Sequence, residues 1–189
     1  MTGIETDLAQ VWQNTINLPD LLVSLGEELG REGLLDTPRR VRNAWEEILC
    51  GYTMNPEDIL KTDFDSAGGG VIAVRDIDFT SMCEHHMLPF TGKAHVGYEA
   101  KFEDRVCGLS KVTRLVQCFA SRLQIQERLM NQIADALDTY LHPTGILVCI
   151  DSEHMCCRSR GIKQHRQHMV TSCSRGEVSP FLMSQVFGK

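Results

Sequence analysis

The chain has 189 residues, 42% hydrophobic and 23% charged, with a formal net charge of −6 and a pI near 5.6. This composition is close to the globular average and excludes a wholly disordered chain or a coiled-coil rod. The acidic balance argues against a nucleic-acid partner, while leaving room for a local basic pocket. From the N-terminus, residues 4–30 read as helical. Leu8, Val11, Trp12, Ile16, Leu21, Leu22, Leu25 and Leu29 recur three or four apart. The pattern is interrupted at Asn17 to Asp20, where Pro19 marks a fresh helix start, and Gly30 and Gly33 are expected to end the segment. A second helix is expected from Thr37-Pro38, a capping hydroxyl followed by proline. Its apolar stripe is Val41, Ala44, Trp45, Ile48 and Leu49, with Gly51 as the stop. Pro56 opens a short helical turn, and Ser66 to Gly70 reads as a loop. The expected division is a helical region over 1–66 and a main domain over 67–189.

From Val71 the pattern turns to strands. Val71 to Ile77 is β-rich, and Ala94, Val96 and Tyr98 alternate with His95, Gly97 and Glu99 as a strand with one buried face. Asp104 and Gly108 fall in turns. A helical stretch from Ser110 to about Leu141 carries two apolar stripes out of phase. The break at Gln124 to Gln126 predicts two helices or one kinked helix. Ile146 to Ile150 is a short buried strand, and Gln167 to Cys173 another. The order is β-β-α-α-β-β behind a helical head. No apolar run approaches the roughly 20 residues of a membrane span. Met1 to Leu8 carries acids and no apolar core, so no secretory signal is expected. The eight cysteines then read as cytosolic thiols, some of them metal ligands, in a cytoplasmic protein.

The strongest chemical signal is Cys83-Glu84-His85-His86, matched about 70 residues later by His154-Met155-Cys156-Cys157. Two thiolates and an imidazole make a good zinc shell. Three protein ligands would leave a fourth position for water, whose pKa zinc lowers to about 7. A four-ligand structural site and separate unmetallated thiols remain open on spacing alone. Only one of His85 and His86 need bind metal, which frees the other as a proton carrier. Lys111, Arg114, Arg160 and Arg40 lie near element boundaries, and Gly108-Leu109-Ser110-Lys111 opens a helix whose free N–H groups suit a phosphate. Gln126-Glu127-Arg128 sits at the phase break, where a carboxylate can accept from an amidine-like base edge; an exposed helix start is the plainer reading. Cys50, Cys107, Cys118 and Cys149 read as packing thiols. His142, His165 and His168 read as surface or strand residues, and Trp12 and Trp45 as core anchors of the helical head.

Together these motifs resemble the GTP cyclohydrolase I family. The resemblance runs through Thr37-Pro-Arg-Arg-Val41, Thr80-Ser-Met-Cys-Glu-His-His86, Gly108-Leu-Ser-Lys111 with Arg114, Arg122-Leu-Gln-Ile-Gln-Glu-Arg-Leu129, His154-Met-Cys156 and Arg160-Gly161. It implies an α+β tunnelling fold, in which β-β-α-α-β-β subunit sheets join into a barrel, with an N-terminal helical region. It implies a homodecamer of two pentamers with interfacial active sites. It further implies hydrolysis of GTP to 7,8-dihydroneopterin triphosphate and formate. By the same resemblance Cys83, His86 and Cys156 hold Zn2+, and hydroxide generated there attacks C8. His85 carries the proton at the purine ring, and His154 assists. Glu127 reads guanine with Gln126 beside it, and Ser110, Lys111, Arg114, Arg160 and Arg40 hold the triphosphate.

Two features depart from the family pattern. Cys157 follows Cys156 where an apolar residue is usual, and the tail after Thr171-Ser172 does not follow the usual longer ending that leads into a helix. An alternative is a non-catalytic GTP- or pterin-binding protein of the same fold with structural zinc. A nitrile reductase of the same fold lacks support, since its cysteine-nucleophile motif is not evident. Folate synthesis is the default destination of the product, with tetrahydrobiopterin and deazaguanine nucleosides sharing the step.

Overall fold

The computed structural model describes residues 17–61, 63–65, 69–101 and 105–188. The expected helix before residue 17, Trp12, Asp104 and most of the Ser66 to Gly70 loop lie outside the described residues. Chain contacts divide the protein into Met1–Glu47 and Ile48–Lys189. In the first unit, α1 (Leu18–Ser24) starts where Pro19 predicts it, and the Asn17 side chain accepts from the Asp20 N–H at 2.8 Å. It ends at Ser24, short of the expected Gly30 and Gly33. Gly26, at φ +90°, turns the chain out, and the Glu27 N–H closes back on the Leu22 carbonyl at 3.0 Å. The next helix, α2 (Thr37–Ile48), begins at Thr37 as expected. Trp45 is not a core anchor: it is 41% exposed. Neither α1 nor α2 contains a buried residue, so its apolar stripe has no core to enter among the described residues.

The second unit carries, in chain order, α3 (Pro56–Leu60), β1 (Asp63–Asp65), β2 (Gly70–Cys83), β3 (Pro89–Ala100), β4 (Arg105–Cys107), α4 (Leu109–Ala120), β5 (Leu123–Gln124), α5 (Gln126–Leu141), β6 (Gly145–His154), α6 (Met155–Arg158), β7 (Met169–Gly176) and α7 (Pro180–Phe187). Its main sheet has the order β5-β2-β3-β6-β7, and β1 pairs with β4 in a separate ribbon. The architecture is α+β. Leu115, Val116, Leu129, Ile133 and Leu137 pack against Phe90, Tyr98, Ile146, Val148 and Ile150 in the main core. Leu147 and Cys149, which alternate with those β6 positions, pack with Leu182 and Val186 of α7 on the other face. The tail thus leads into a helix, capped by Ser179, whose hydroxyl accepts from the Leu182 N–H at 3.0 Å.

Two details of the sheet position the site. First, β2 runs far beyond Val71 to Ile77, reaching Cys83. Its register slips between Val74 and Ile77. There Asp76 adopts φ 56°, and its N–H donates to His95 Nδ1 at 3.3 Å. This bulge re-aims the strand and hides its period from the sequence. Second, the phase break at Gln124 to Gln126 separates two helices. Between them β5 adds in parallel to the end of β2, pairing Leu123 with Met82 and Gln124 with Cys83. The start of α5 is thereby anchored beside the Cys83 end of β2.

Candidate metal and active site

Cys83 ends β2, and the chain turns at once: the Met87 N–H donates to the Cys83 carbonyl at 2.8 Å and the Cys83 N–H to the Leu88 carbonyl at 2.9 Å. Met87, at φ 50°, completes the turn. This single turn makes the i, i+3 spacing productive, setting His86 Nδ1 3.8 Å from Cys83 Sγ. Cys156 arrives from the other side, in α6 just beyond β6. One donor atom from each of Cys83, His86 and Cys156 lies within 4.8 Å of the others. Donors around a tetrahedral zinc stand roughly 3.5–3.8 Å apart, so two sulfurs and one nitrogen at this spacing fit such an ion after a small contraction. The Cys156 thiol is pushed up to about 11, chiefly by burial and then by Cys83 and Cys157. A divalent cation among these sulfurs reverses that penalty. Cys157 hydrogen-bonds Cys156 and is not part of the three-donor group.

His85 is outside the three-donor group, its side chain 64% exposed, with Nδ1 4.0 Å from Cys83 Sγ and Nε2 3.9 Å from Glu84 Oε1. The Glu84 carboxylate is gripped by both terminal nitrogens of Arg128. That hydrogen bond holds Glu84 below the usual carboxylate range. The clamp ties the Cys83–His86 turn to α5, and the Glu84 N–H ties it to β5 by donating to the Gln124 carbonyl at 3.0 Å.

His154 closes β6, its ring stacked on Phe90 with centroids 4.7 Å apart and planes 2° from parallel. Burial lowers its pKa, and the charge of Glu127 offsets this in part. The Glu127 side chain is exposed and has no hydrogen-bond or ion-pair partner among the described residues. Gln126 is buried and hydrogen-bonds His154 and strands β6 and β7. Ser110 and Lys111 lie in the first turn of α4 and Arg114 one turn on, while Arg160 follows α6. Lys111, Arg114 and Arg160 have no acidic partner among the described residues, whereas Arg128, Arg158 and Arg175 are each ion-paired. No hydrogen bond or ion pair joins these cations to the three-donor group. Arg40 belongs to the first unit, where its guanidinium donates to the Gly33 carbonyl and Thr37 Oγ1.

Sequence reasoning missed the Glu84–Arg128 clamp and Phe90. The pairing of a carboxylate inside the cysteine–histidine block with an arginine beside Glu127 was the available signal for the first; nothing marked the second. Of the expected packing thiols, Cys107, Cys118 and Cys149 are buried but Cys50 is exposed. The neighbouring Gly51 takes the inner position instead. A Cβ there would stand 2.2 Å from the Cys118 carbonyl oxygen, and the Gly51 N–H donates to the Ser121 carbonyl at 3.0 Å. No helix among the described residues is long and apolar enough to cross a membrane.

Residues 15–184 match the profile of a family described as GTP cyclohydrolase I. A protein named GTP cyclohydrolase 1 from Allorhizobium ampelinum is 49% identical over 168 residues, covering 88% of this chain and 83% of that protein. One of the same name from Streptomyces avermitilis is 45% identical over 159 residues, covering 84% and 79%. A weaker likeness, at TM-score 0.45 and 14% identity over 60% of this chain, is to a solved archaeosine synthase QueF-Like in the apo form.

Proposed function

The chain belongs to the GTP cyclohydrolase I family, and from that premise we propose how its own residues carry out the hydrolysis of GTP to 7,8-dihydroneopterin triphosphate and formate. The observation that carries the reading is the convergence of Cys83, His86 and Cys156 to within 4.8 Å. These three residues hold Zn2+. When bound, the ion supplies Lewis acidity and a nucleophile at neutral pH for the attack on C8 of the purine. His85, exposed and one residue from a ligand, moves the proton at the imidazole ring of the base. His154, fixed on Phe90, serves as a second proton carrier near the reacting centre. Glu127, unpaired at the start of α5, accepts from the guanine N–H edge; an analogue lacking those donors leaves the carboxylate without a partner. Ser110, Lys111, Arg114, Arg160 and Arg40 receive the triphosphate, as the unpaired state of Lys111, Arg114 and Arg160 suits.

The assembly follows the same reading. The outer edge of β7 and most of the outer edge of β2 have no strand partner among the described residues. Such edges invite pairing with another copy. Copies joined edge to edge close a barrel, two pentameric rings form a homodecamer, and the cations of one subunit meet the metal group of the next. The product enters tetrahydrofolate or a related pterin synthesis, in the cytoplasm.

Paired variants test the assignment. Cys83→Ser and His86→Ala should lose zinc and formate release together. His85→Ala should keep one zinc per chain and lose about 10²-fold or more in kcat. A His85→Ala enzyme of near-normal rate would remove His85 from its role.

A further inference from the structure

Gln126 is the first residue of α5 and is only 1% exposed. Its Nε2 faces three acceptors: the Ile150 carbonyl at 3.0 Å, the Met169 carbonyl at 2.9 Å and Thr171 Oγ1 at 3.0 Å. Main-chain carbonyls cannot donate, so the end of the amide that faces them must be the NH2 group. The other end is then fixed as the oxygen. It meets Ser152 Oγ at 2.6 Å and His154 Nε2 at 3.0 Å. An amide oxygen only accepts, so His154 Nε2 must carry a hydrogen. We propose that Gln126 is a positioning residue: it fixes the His154 ring in place as the tautomer that carries its hydrogen on Nε2.

His154 keeps its Nε2 hydrogen pointed at the Gln126 oxygen. Stacking on Phe90, itself fully buried, holds the ring plane in register with the amide. The amide is held in turn by β6 and β7, so with α5 and the Phe90 strand β3 the device spans four elements. The same accounting bears on recognition of the base. Both amide hydrogens and both oxygen lone pairs of Gln126 are committed within the chain. Its side chain therefore supports the histidine instead of contacting guanine, and Glu127 beside it is left to read the base. This role for Gln126 rests on His154 taking part in the proposed reaction; the tautomer itself rests only on the hydrogen bonds.

The test is 15N NMR of zinc-loaded protein labelled in its histidines, with the His154 signals identified by their loss in His154→Asn. The ring should show a protonated Nε2 and, when neutral, a bare Nδ1. A hydrogen on Nδ1 with Nε2 bare would overturn the proposal without recourse to any other variant. Gln126→Met, similar in volume and without the amide, should populate both tautomers. It should lower kcat for formate release by about 10- to 100-fold with zinc content and the KM for GTP nearly unchanged. A raised KM at unchanged kcat would instead make Gln126 a substrate contact and refute the positioning role. Should Gln126→Met fail to fold, Ser152→Ala removes only the second donor to Oε1, and the Nε2–H signature should persist. If the wild-type protein releases no formate, the catalytic reading fails, while the spectrum still decides the tautomer.

Discussion

Replacing Gly92 by alanine probes how closely β3 and β6 must approach for the site to form. Gly92 pairs with Ser152 across the ladder. A Cβ built on it would stand 2.0 Å from the Asp151 carbonyl oxygen and 2.7 Å from Ser152 Cα. Every one of these atoms lies on or next to the backbone, so no flexible side chain can swing aside. The strands must separate by about 1 Å, which disrupts the ladder hydrogen bonds on either side at about 1 kcal/mol each and adds packing strain, for a total of about 2–4 kcal/mol. For a chain of this size that lowers Tm by about 5–15 °C at fixed protein concentration. The strand that shifts carries Ser152, whose hydroxyl holds Gln126, and His154 two residues on. Turnover should therefore fall even at temperatures where the variant is folded. Thermal unfolding followed by circular dichroism, with formate release at 25 °C, gives both readouts. A Tm within 2 °C of wild type and an unchanged kcat would refute the claim that this strand pair is closed tightly enough to set the site.

Three further outcomes follow from the same coordinates. Leu182→Ala empties the position that α7 fills against Leu147 and Cys149 and should cost about 2–4 kcal/mol by urea titration; no loss would mean the tail does not hold that face. Ellman's reagent should label exposed Cys50 fastest, since burial raises the thiols of Cys118, Cys149 and Cys173 and so depletes their thiolate; a Cys50→Ser protein with an unchanged fast phase contradicts this. Glu127→Ala should reduce kcat/KM for GTP by about 10²-fold or more and erode discrimination against ATP; unchanged discrimination removes Glu127 from base recognition.

Cys83 and His86 were legible as a pair because they lie three residues apart on one turn, a local relation that sequence displays, whereas Cys156 reaches them from beyond β6 through the fold. The prolines at 19 and 56 likewise mark helix starts, because a fixed φ and a missing N–H act locally. What was hidden depends on distant partners. Gln126 stands beside Glu127 in sequence, but the hydrogen bonds of its side chain reach β6 and β7, brought to it only by the folded sheet. The bulge at Asp76 concealed half of β2, since an extra residue inverts the alternation that reveals a strand. Trp45 was misjudged because an apolar stripe on a helix reports a face to be covered, not which surface covers it.

The most direct measurement is the ratio of formate to oxidised, fluorescent pterin when zinc-loaded protein is incubated with GTP. The account predicts both products in equal amounts, because ring opening, rearrangement and closure proceed at one site. Neither product, with zinc bound and the oligomer intact, would contradict the catalytic reading; formate without pterin would confine the site to ring opening and contradict the complete reaction.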